Sequence, residues 1–108
     1  MSDAPISIPS CVAALTEAWQ PQDLARVDET VVRLARLDGA FSWHTHAQDE
    51  AFLCWQGAFR IEQRSAGDVS LAAGDLYVVR AGIEHRPVAD APAYALIIEC
   101  AETRQYGD

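Results

Sequence analysis

Short apolar runs follow one another closely from Thr30 onward, and this spacing limits what the chain can fold into. The runs are rich in Val, Leu, Ile and aromatic residues, and Gly, Asp or Pro separates each from the next, which is typical of β-strands. No helical segment of about 10–15 residues lies between them, which excludes βαβ units. The sequence therefore predicts an all-β fold, a small antiparallel β-barrel or jelly roll. The expected strands are 29–37, 41–46, 50–56, 58–64, 68–72, 75–80, 85–89 and 93–100.

One short helix is expected ahead of the strands. Within residues 10–20, apolar side chains recur at helical spacing, with Ser10 as the expected N-cap and Pro21 as the end. This apolar stripe consists of Val12, Leu15 and Trp19. A chain of 108 residues is expected to form one domain, because folded domains cluster near ~100–150 residues. We expect residues 1–28 to form an N-terminal arm with the helix and residues 29–108 to form the barrel.

The chain is strongly acidic, with 16 Asp and Glu residues against 8 basic residues and a formal net charge of −8. All 8 basic residues are arginines, and the absence of lysine excludes Schiff-base chemistry and Walker-type phosphate loops. An acidic protein repels nucleic acids and anionic lipids at long range. We therefore expect no nucleic acid and no membrane as partners.

Cysteine usage indicates a reducing compartment. Cys11, Cys54 and Cys100 are odd in number, widely spaced and without a CxxC pair, which is typical of reduced thiols rather than a disulfide framework. Residues 1–10 show no basic stretch followed by an apolar core, so no secretory signal is expected. No apolar run approaches the roughly 20 residues that cross a bilayer. These features predict a cytoplasmic protein.

All 3 histidines lie in two short segments. His44 and His46 are two residues apart, so a strand would place both imidazoles on one face. Glu50 has the same parity, but an extended chain would carry it about 13 Å from His46, too far to share an ion. We therefore predict a hairpin turn at 47–49 that returns Glu50 opposite His46. His85 would join them from a separate hairpin.

These residues favour a metal site. A single histidine on a strand is more often an ordinary polar residue than a ligand. The pattern HxHx3Ex6G from His44 to Gly57, followed by glycines and His85, would however arise by chance in roughly one sequence in ten thousand. Three imidazoles and one carboxylate suit one divalent transition metal, either Fe, Mn, Ni, Co or Zn, and the ligand types alone do not separate these ions. The predicted metal ligands are His44, His46, Glu50 and His85.

Strand parity extends the site beyond the ligands. Phe52 and Cys54 continue the face of Glu50, so we expect both to line the barrel interior near the metal. The predicted hairpin would set Phe52 opposite His44. Cys54 is either an apolar filler or an additional ligand. Asp49 is either an ordinary turn residue or a support for the neighbouring Glu50.

Both histidine segments resemble the sequence motifs of cupins. The first motif runs from His44 to Gly57, and the second spans residues 74–85 with His85 near its end. The whole chain is similar to small single-domain, RmlC-like cupins that are often labelled mannose-6-phosphate-isomerase-like. This resemblance implies the jelly-roll fold, the same four ligands and a homodimer. Arg80 stands where cupins usually have proline; it is either a solvated turn residue or an anchor for an anionic substrate in the pocket.

Two functions of different class follow from these expectations. In the first, the chain is a metal-dependent enzyme, a dioxygenase or an isomerase-type cupin, that acts on a small organic molecule in the barrel by Lewis-acid or O₂-dependent chemistry. In the second, it is a non-catalytic module that binds or senses a small ligand and whose metal is structural. The whole histidine content is assigned to the metal, so no imidazole remains for acid–base work.

Overall fold

The structure, a computed structural model, describes residues 4–108; residues 1–3 of the expected arm lie outside the described residues. One helix and seven strands form in the described part of the chain. They are α1 (Ile8–Ala14), β1 (Gln22–Val27), β2 (Thr30–Ala40), β3 (Glu50–Gln56), β4 (Ala58–Gln63), β5 (Val69–Ala72), β6 (Leu76–Val79) and β7 (His85–Cys100).

β7 is the central strand of the fold. β2, β3 and β4 all pair with it, and every pairing in the sheet is antiparallel. The main strand order is β1-β2-β7-β3-β6, and β5 joins through β4. Hydrogen bonds do not close this sheet into a barrel among residues 4–108. The prediction of an all-β, antiparallel jelly-roll type of fold with one short helix is confirmed.

The turn predicted between 85–89 and 93–100 is a bulge within β7. Leu37 of β2 pairs with Ala93 and Gly39 pairs with Ala89, so residues 90–92 of β7 face a single residue of β2. On its other edge, β7 pairs first with β4 and then with β3. The bulge therefore marks the place where β7 bends from one set of partners to the next, and Pro92 suits it because proline has no amide hydrogen to donate.

Two further segments differ from expectation. Residues 41–46 do not form the predicted strand, and in this stretch only His44 makes a β-bridge, to His85. Residues 22–27, assigned to the arm, form strand β1 at the edge beside β2. Almost every side chain of β1 is exposed, so the segment has no apolar alternation for a sequence pattern to detect.

The helix begins earlier and is shorter than predicted. Ser7, not Ser10, is the N-cap, and its hydroxyl accepts the Ser10 amide hydrogen at 3.3 Å. α1 ends at Ala14, after which Leu15 is extended, yet Val12 and Leu15 still pack together against the β2–β7 face. No helix in residues 4–108 has the length and apolarity required to span a membrane.

Buried apolar side chains from β2 to β7 fill the interior of the fold. Its largest fully buried apolar members are Leu37, Phe52, Ile61, Leu71 and Val79. This core ends at His85, which is fully buried and whose ring centroid lies 6.3 Å from that of Phe52. Polar side chains at such a position require partners, because water does not reach them. The partners are the other members of the site.

Candidate metal centre

Four buried side chains, His44, His46, Glu50 and His85, converge at the end of the core, with their ligand atoms all within 4.8 Å of one another. His44 and His85 are joined through the backbone, since each amide donates to the other's carbonyl at 3.0 Å. The carbonyl of His46 accepts a hydrogen bond from the Gly82 amide at 3.0 Å, which ties it to the turn before His85. Glu50 is the first residue of β3. The structure thus brings the four predicted ligands together.

The predicted hairpin is wrong in its pairing. β3 pairs with β6 and β7, not with residues 41–46. His44 consequently bridges to His85 rather than lying opposite Phe52. The chain does reverse at 47–49, and His46 Nε2 lies 3.1 Å from Glu50 Oε1. The residues that strand parity selected do lie together, but the choice of strand partner depends on contacts between residues far apart in sequence.

The orientation of each imidazole is set by a backbone carbonyl two residues away in sequence. A carbonyl only accepts hydrogen bonds, so each Nδ1 must carry the proton, and the lone pair of a neutral ring then lies on Nε2. The Nδ1 contacts are His44 to Ser42 O at 2.9 Å, His46 to Gln48 O at 3.1 Å and His85 to Ile83 O at 2.8 Å. This is the arrangement that orients histidine ligands around metal ions in proteins.

The distances around Glu50 fit a bound cation. Its Oε1 lies 3.1 Å from Nε2 of His46 and 3.1 Å from Nε2 of His85. Lone pairs would face one another across these gaps unless a proton or a metal ion lay between them. Two ligands at right angles around an ion, with bonds of about 2.1 Å, are themselves about 3 Å apart. The residues present therefore fit a divalent transition metal.

Protons and a metal ion would compete for this cluster. Burial raises the pKa of Glu50, but hydrogen bonds with His46 and His85 outweigh it and bring the pKa down to about 2. The hydrogen bond with Glu50 raises the pKa of His46, while burial lowers that of His44. Without metal, the Glu50 carboxylate therefore favours a proton on its neighbour His46. Metal binding must displace that proton.

A cavity of about 300 Å³ opens beside the four residues, and His44 and Glu50 form part of its wall. Most of the remaining wall is apolar, and the largest apolar members are Trp19, Leu37, Phe41, Phe52 and Ile97. Five further polar side chains line it: Asp23, Arg33, Glu99, Thr103 and Gln105. An apolar cavity with a few polar groups beside a metal-type cluster is typical of a site for a small organic molecule.

Comparison with known proteins agrees with this geometry. Residues 30–99 match the profile of the Cupin_2 family, described as Cupin domain. The chain belongs to the cupin family. A cupin-2 domain protein from Shewanella frigidimarina is 31% identical, with a TM-score of 0.84 over 88% of this chain and 93% of that one. A Neisseria meningitidis protein is 26% identical, with a TM-score of 0.83 over 91% of this chain and 100% of its own.

A third solved structure shares the fold at lower identity. Hydroquinone 1,2-dioxygenase from a Sphingomonas species, solved with 4-hydroxybenzoate bound, is 20% identical, with a TM-score of 0.76 over 89% of this chain and 72% of that one. At this identity the likeness extends to the fold alone. No functionally curated protein matches this cupin.

The other predicted site residues take three different positions in this cupin. Phe52 lines the cavity. Cys54 is fully buried in the core, where its thiol donates to the Gly57 carbonyl at 3.4 Å and burial raises its pKa. Arg80 does not line the cavity: its side chain is 73% exposed and pairs with Asp49 at 3.3 Å. A turn residue on the surface keeps its charge in water, so this arginine is a solvated surface residue.

Asp49 supports the site from outside the cavity. Its Oδ1 accepts the Ala81 amide hydrogen at 2.8 Å, and this hydrogen bond is the main cause of a lowered pKa at Asp49. Asp49 precedes Glu50, and Ala81 precedes the glycine that bonds to His46. The contact therefore ties together two loops that carry members of the cluster.

Sequence reasoning did not identify Arg33, Glu99 or Thr103 as site residues. Glu99 lies at the end of the apolar run of β7 and pairs in register with Glu50 of the neighbouring strand β3. The available signal was an acidic residue at the end of an apolar run of strand residues. Burial and the nearby Glu50 carboxylate raise the pKa of Glu99 to about 8, although Arg33 opposes this shift with a 2.6 Å ion pair.

Proposed function

We propose that this cupin is a metal-dependent enzyme that acts on a small organic molecule held in the cavity beside the metal. The proposed ligands of one divalent transition metal are His44, His46, Glu50 and His85. The observation that carries the proposal is the shared wall: His44 and Glu50 belong both to the metal-type cluster and to the cavity. A molecule in the cavity would therefore contact the coordination sphere directly.

The donor set supports a transition metal rather than calcium or magnesium. Three imidazole nitrogens and one carboxylate oxygen suit Fe, Mn, Ni, Co or Zn, whereas calcium and magnesium prefer sites built from oxygen. When bound, such an ion polarises a carbonyl or hydroxyl group or, if it is redox-active, binds O₂ beside the organic molecule. The hydroquinone 1,2-dioxygenase named above indicates that the cupin fold can house O₂-dependent chemistry.

For that chemistry, the residues of this chain orient the metal ligands, contribute a negative charge and form an apolar cavity wall. The Ser42, Gln48 and Ile83 carbonyls hold the imidazoles with their Nε2 atoms directed inward. Glu50 brings a full negative charge, because its lowered pKa keeps it ionised at neutral pH. Phe52 and Ile97 limit the water that reaches the substrate side, which strengthens polar interactions there. All three imidazoles face the cluster, so a proton taken from the substrate has to pass to a carboxylate or to water.

Metal content tests the site assignment. Protein purified without chelators, exchanged into metal-free buffer and analysed by elemental mass spectrometry should carry about one equivalent of metal per chain. His46→Ala and Glu50→Gln should lose most of it. Glu62→Gln is the matched control, since Glu62 is also a strand carboxylate, half-buried, but bonds to Arg60 and Arg86 instead of the histidines. Equal metal in all four proteins would refute the site.

Catalysis is tested separately from metal binding. If the metal is iron, O₂ consumption is measured against a panel of phenols, thiols and keto acids; if it is zinc or nickel, isomerisation and lyase reactions are assayed. Turnover that disappears in Glu50→Gln but persists in Glu62→Gln supports the enzyme. Stoichiometric metal, tight binding of a panel member and no turnover would instead support a ligand-binding or sensing module. The homodimer stays a prediction, and sedimentation would test it.

A further inference from the structure

We propose that Glu99 and Thr103 bind a hydroxyl group of the substrate, and that the substrate is a small, flat, uncharged hydroxyl compound of the phenol class. The inference rests on the proposed function in that it names the substrate of the same site. It is carried by two unpartnered polar atoms in the cavity wall, by the charge balance of that wall and by its aromatic side chains.

The two polar atoms lack partners within the described part of the chain. Glu99 Oε1 and Thr103 Oγ1 are both buried without a hydrogen-bond partner, and Glu99 and Thr103 are only 7% and 5% exposed. Both residues line the cavity. A buried polar atom without a partner destabilises the fold, so such atoms in a cavity wall indicate a ligand that forms hydrogen bonds with them.

Arg33 places these two residues at the same end of the cavity. One nitrogen of its guanidinium, Nη1, bonds Glu99 Oε2 at 2.6 Å and the Thr103 carbonyl at 3.3 Å. The register pairing of Glu99 with Glu50 puts this polar end next to the metal-type cluster. A hydroxyl group suits the pair because it can donate to one of these two groups and accept from the other, whether Glu99 is ionised or protonated.

The charges of the wall argue against an anionic substrate. Within residues 4–108, Arg33 is the only arginine lining this cavity, and its nitrogens are already bonded to Asp23, Glu99 and the carbonyls of Ala101 and Thr103. Three acidic side chains line the same space, those of Asp23, Glu50 and Glu99. Unless it ligated the metal ion, a carboxylate or phosphate group would meet these acids with no free arginine to offset them. The exposed Arg80 does not reach the cavity wall.

The aromatic wall favours a flat molecule. Trp19 and Phe41 line the cavity with ring centroids 4.8 Å apart. Trp19 has a positive φ of 61°, an unfavourable conformation for a bulky residue. Three hydrogen bonds hold it there, from its amide to Arg36 O, from its indole to Asp38 O and from Gln105 to its carbonyl. A strained backbone conformation that the surrounding structure holds in place is typical of binding sites. Here it positions the Trp19 indole, on which a flat molecule could stack.

The test compares phenol with anisole, its methyl ether, by isothermal titration calorimetry. The two probes present the same ring, but anisole has no O–H to donate. We expect phenol to bind about threefold to tenfold more tightly, the range for one hydrogen bond in a buried site. Thr103→Val and Glu99→Gln should each reduce this preference, while Thr103→Ser should retain it. Thr30→Val and Glu62→Gln are matched controls outside the cavity lining and should bind both probes as the unmodified protein does.

The outcomes separate this inference from the proposed function. Equal binding of phenol and anisole, or an unchanged preference in folded Thr103→Val, would overturn the inference, as would no binding of either probe. After metal has been removed, so that a carboxylate has no ion to ligate, benzoate should bind more weakly than phenol; tighter benzoate binding would also overturn it. A phenol preference in protein that never binds metal would support the hydroxyl site while refuting the proposed metal enzyme.

Discussion

His44 and His85 exchange a pair of backbone hydrogen bonds, both of 3.0 Å, and their ring centroids lie 4.4 Å apart. This bridge joins the loop after β2 to the first residue of β7. It positions two imidazoles through the main chain, and the side chains then need only their staggered rotamers to meet. The geometry of the cluster therefore depends on the two loops that lead into the bridge.

The turn before His85 should be sensitive to a methyl group at Gly82. This glycine has φ of +84°, and no neighbouring atom lies within 4 Å of the position that a Cβ would take, so Gly82→Ala would add backbone strain without a steric clash. We expect a loss of roughly 1–2 kcal/mol in the free energy of unfolding. Gly67→Ala is the control, because Gly67 also has open space but no positive φ. Urea denaturation of both variants is the measurement, and equal stability would contradict the role of backbone strain.

Removal of the metal should destabilise the fold. A ligand at a concentration of about 100 times its Kd stabilises the native state by about 2.7 kcal/mol. For a domain of this size, that corresponds to a Tm decrease of roughly 10 °C or more when a chelator is added. Differential scanning calorimetry with and without EDTA measures it. Glu50→Gln should melt at the same temperature in both buffers, and a chelator effect of equal size in this variant would mean that the metal is bound elsewhere.

Asp49 should contribute more to metal affinity than its partner Arg80. Asp49→Ala removes the acceptor that holds the Ala81 amide, which frees the two loops that carry His46 and His85. Loss of such a supporting contact typically weakens metal binding by about 10-fold to 100-fold. Arg80→Ala removes only an exposed ion pair and should change affinity little. Competition titrations with a chromogenic chelator compare the two, and similar losses in both variants would show that the ion pair matters instead.

Acid stability should depend in part on Glu62. Hydrogen bonds from Arg86 and then Arg60 lower the pKa of this carboxyl in the folded state. A lowered folded-state pKa stabilises the protein above the ordinary glutamate value, and this contribution is lost as the pH falls through the folded-state pKa. The unmodified protein should therefore lose more stability than Glu62→Gln between about pH 5 and pH 3. Urea midpoints over this range provide the measurement; parallel pH profiles would show that the ion pairs contribute nothing.

The sequence alone determined the fold class and the members of the cluster. Period-two alternation and closely spaced turn residues are local signals, so the antiparallel all-β architecture and the bounds of β3 could be predicted well. The spacing of His44, His46 and Glu50 is also local, and a strand or a tight turn brings such residues to one side of the chain. His85 was identified by its motif, although its backbone partner was not.

Only the tertiary structure decided how these residues meet and what surrounds them. The bridge from His44 to His85, the bulge of β7 and the pairing of Glu99 with Glu50 all join segments far apart in sequence. Such pairings are chosen by the burial of the whole core, since each strand has two edges and several possible partners. For the same reason Arg80 lies in solvent and Thr103 lines the cavity, although neither position differs from an ordinary turn residue in the sequence.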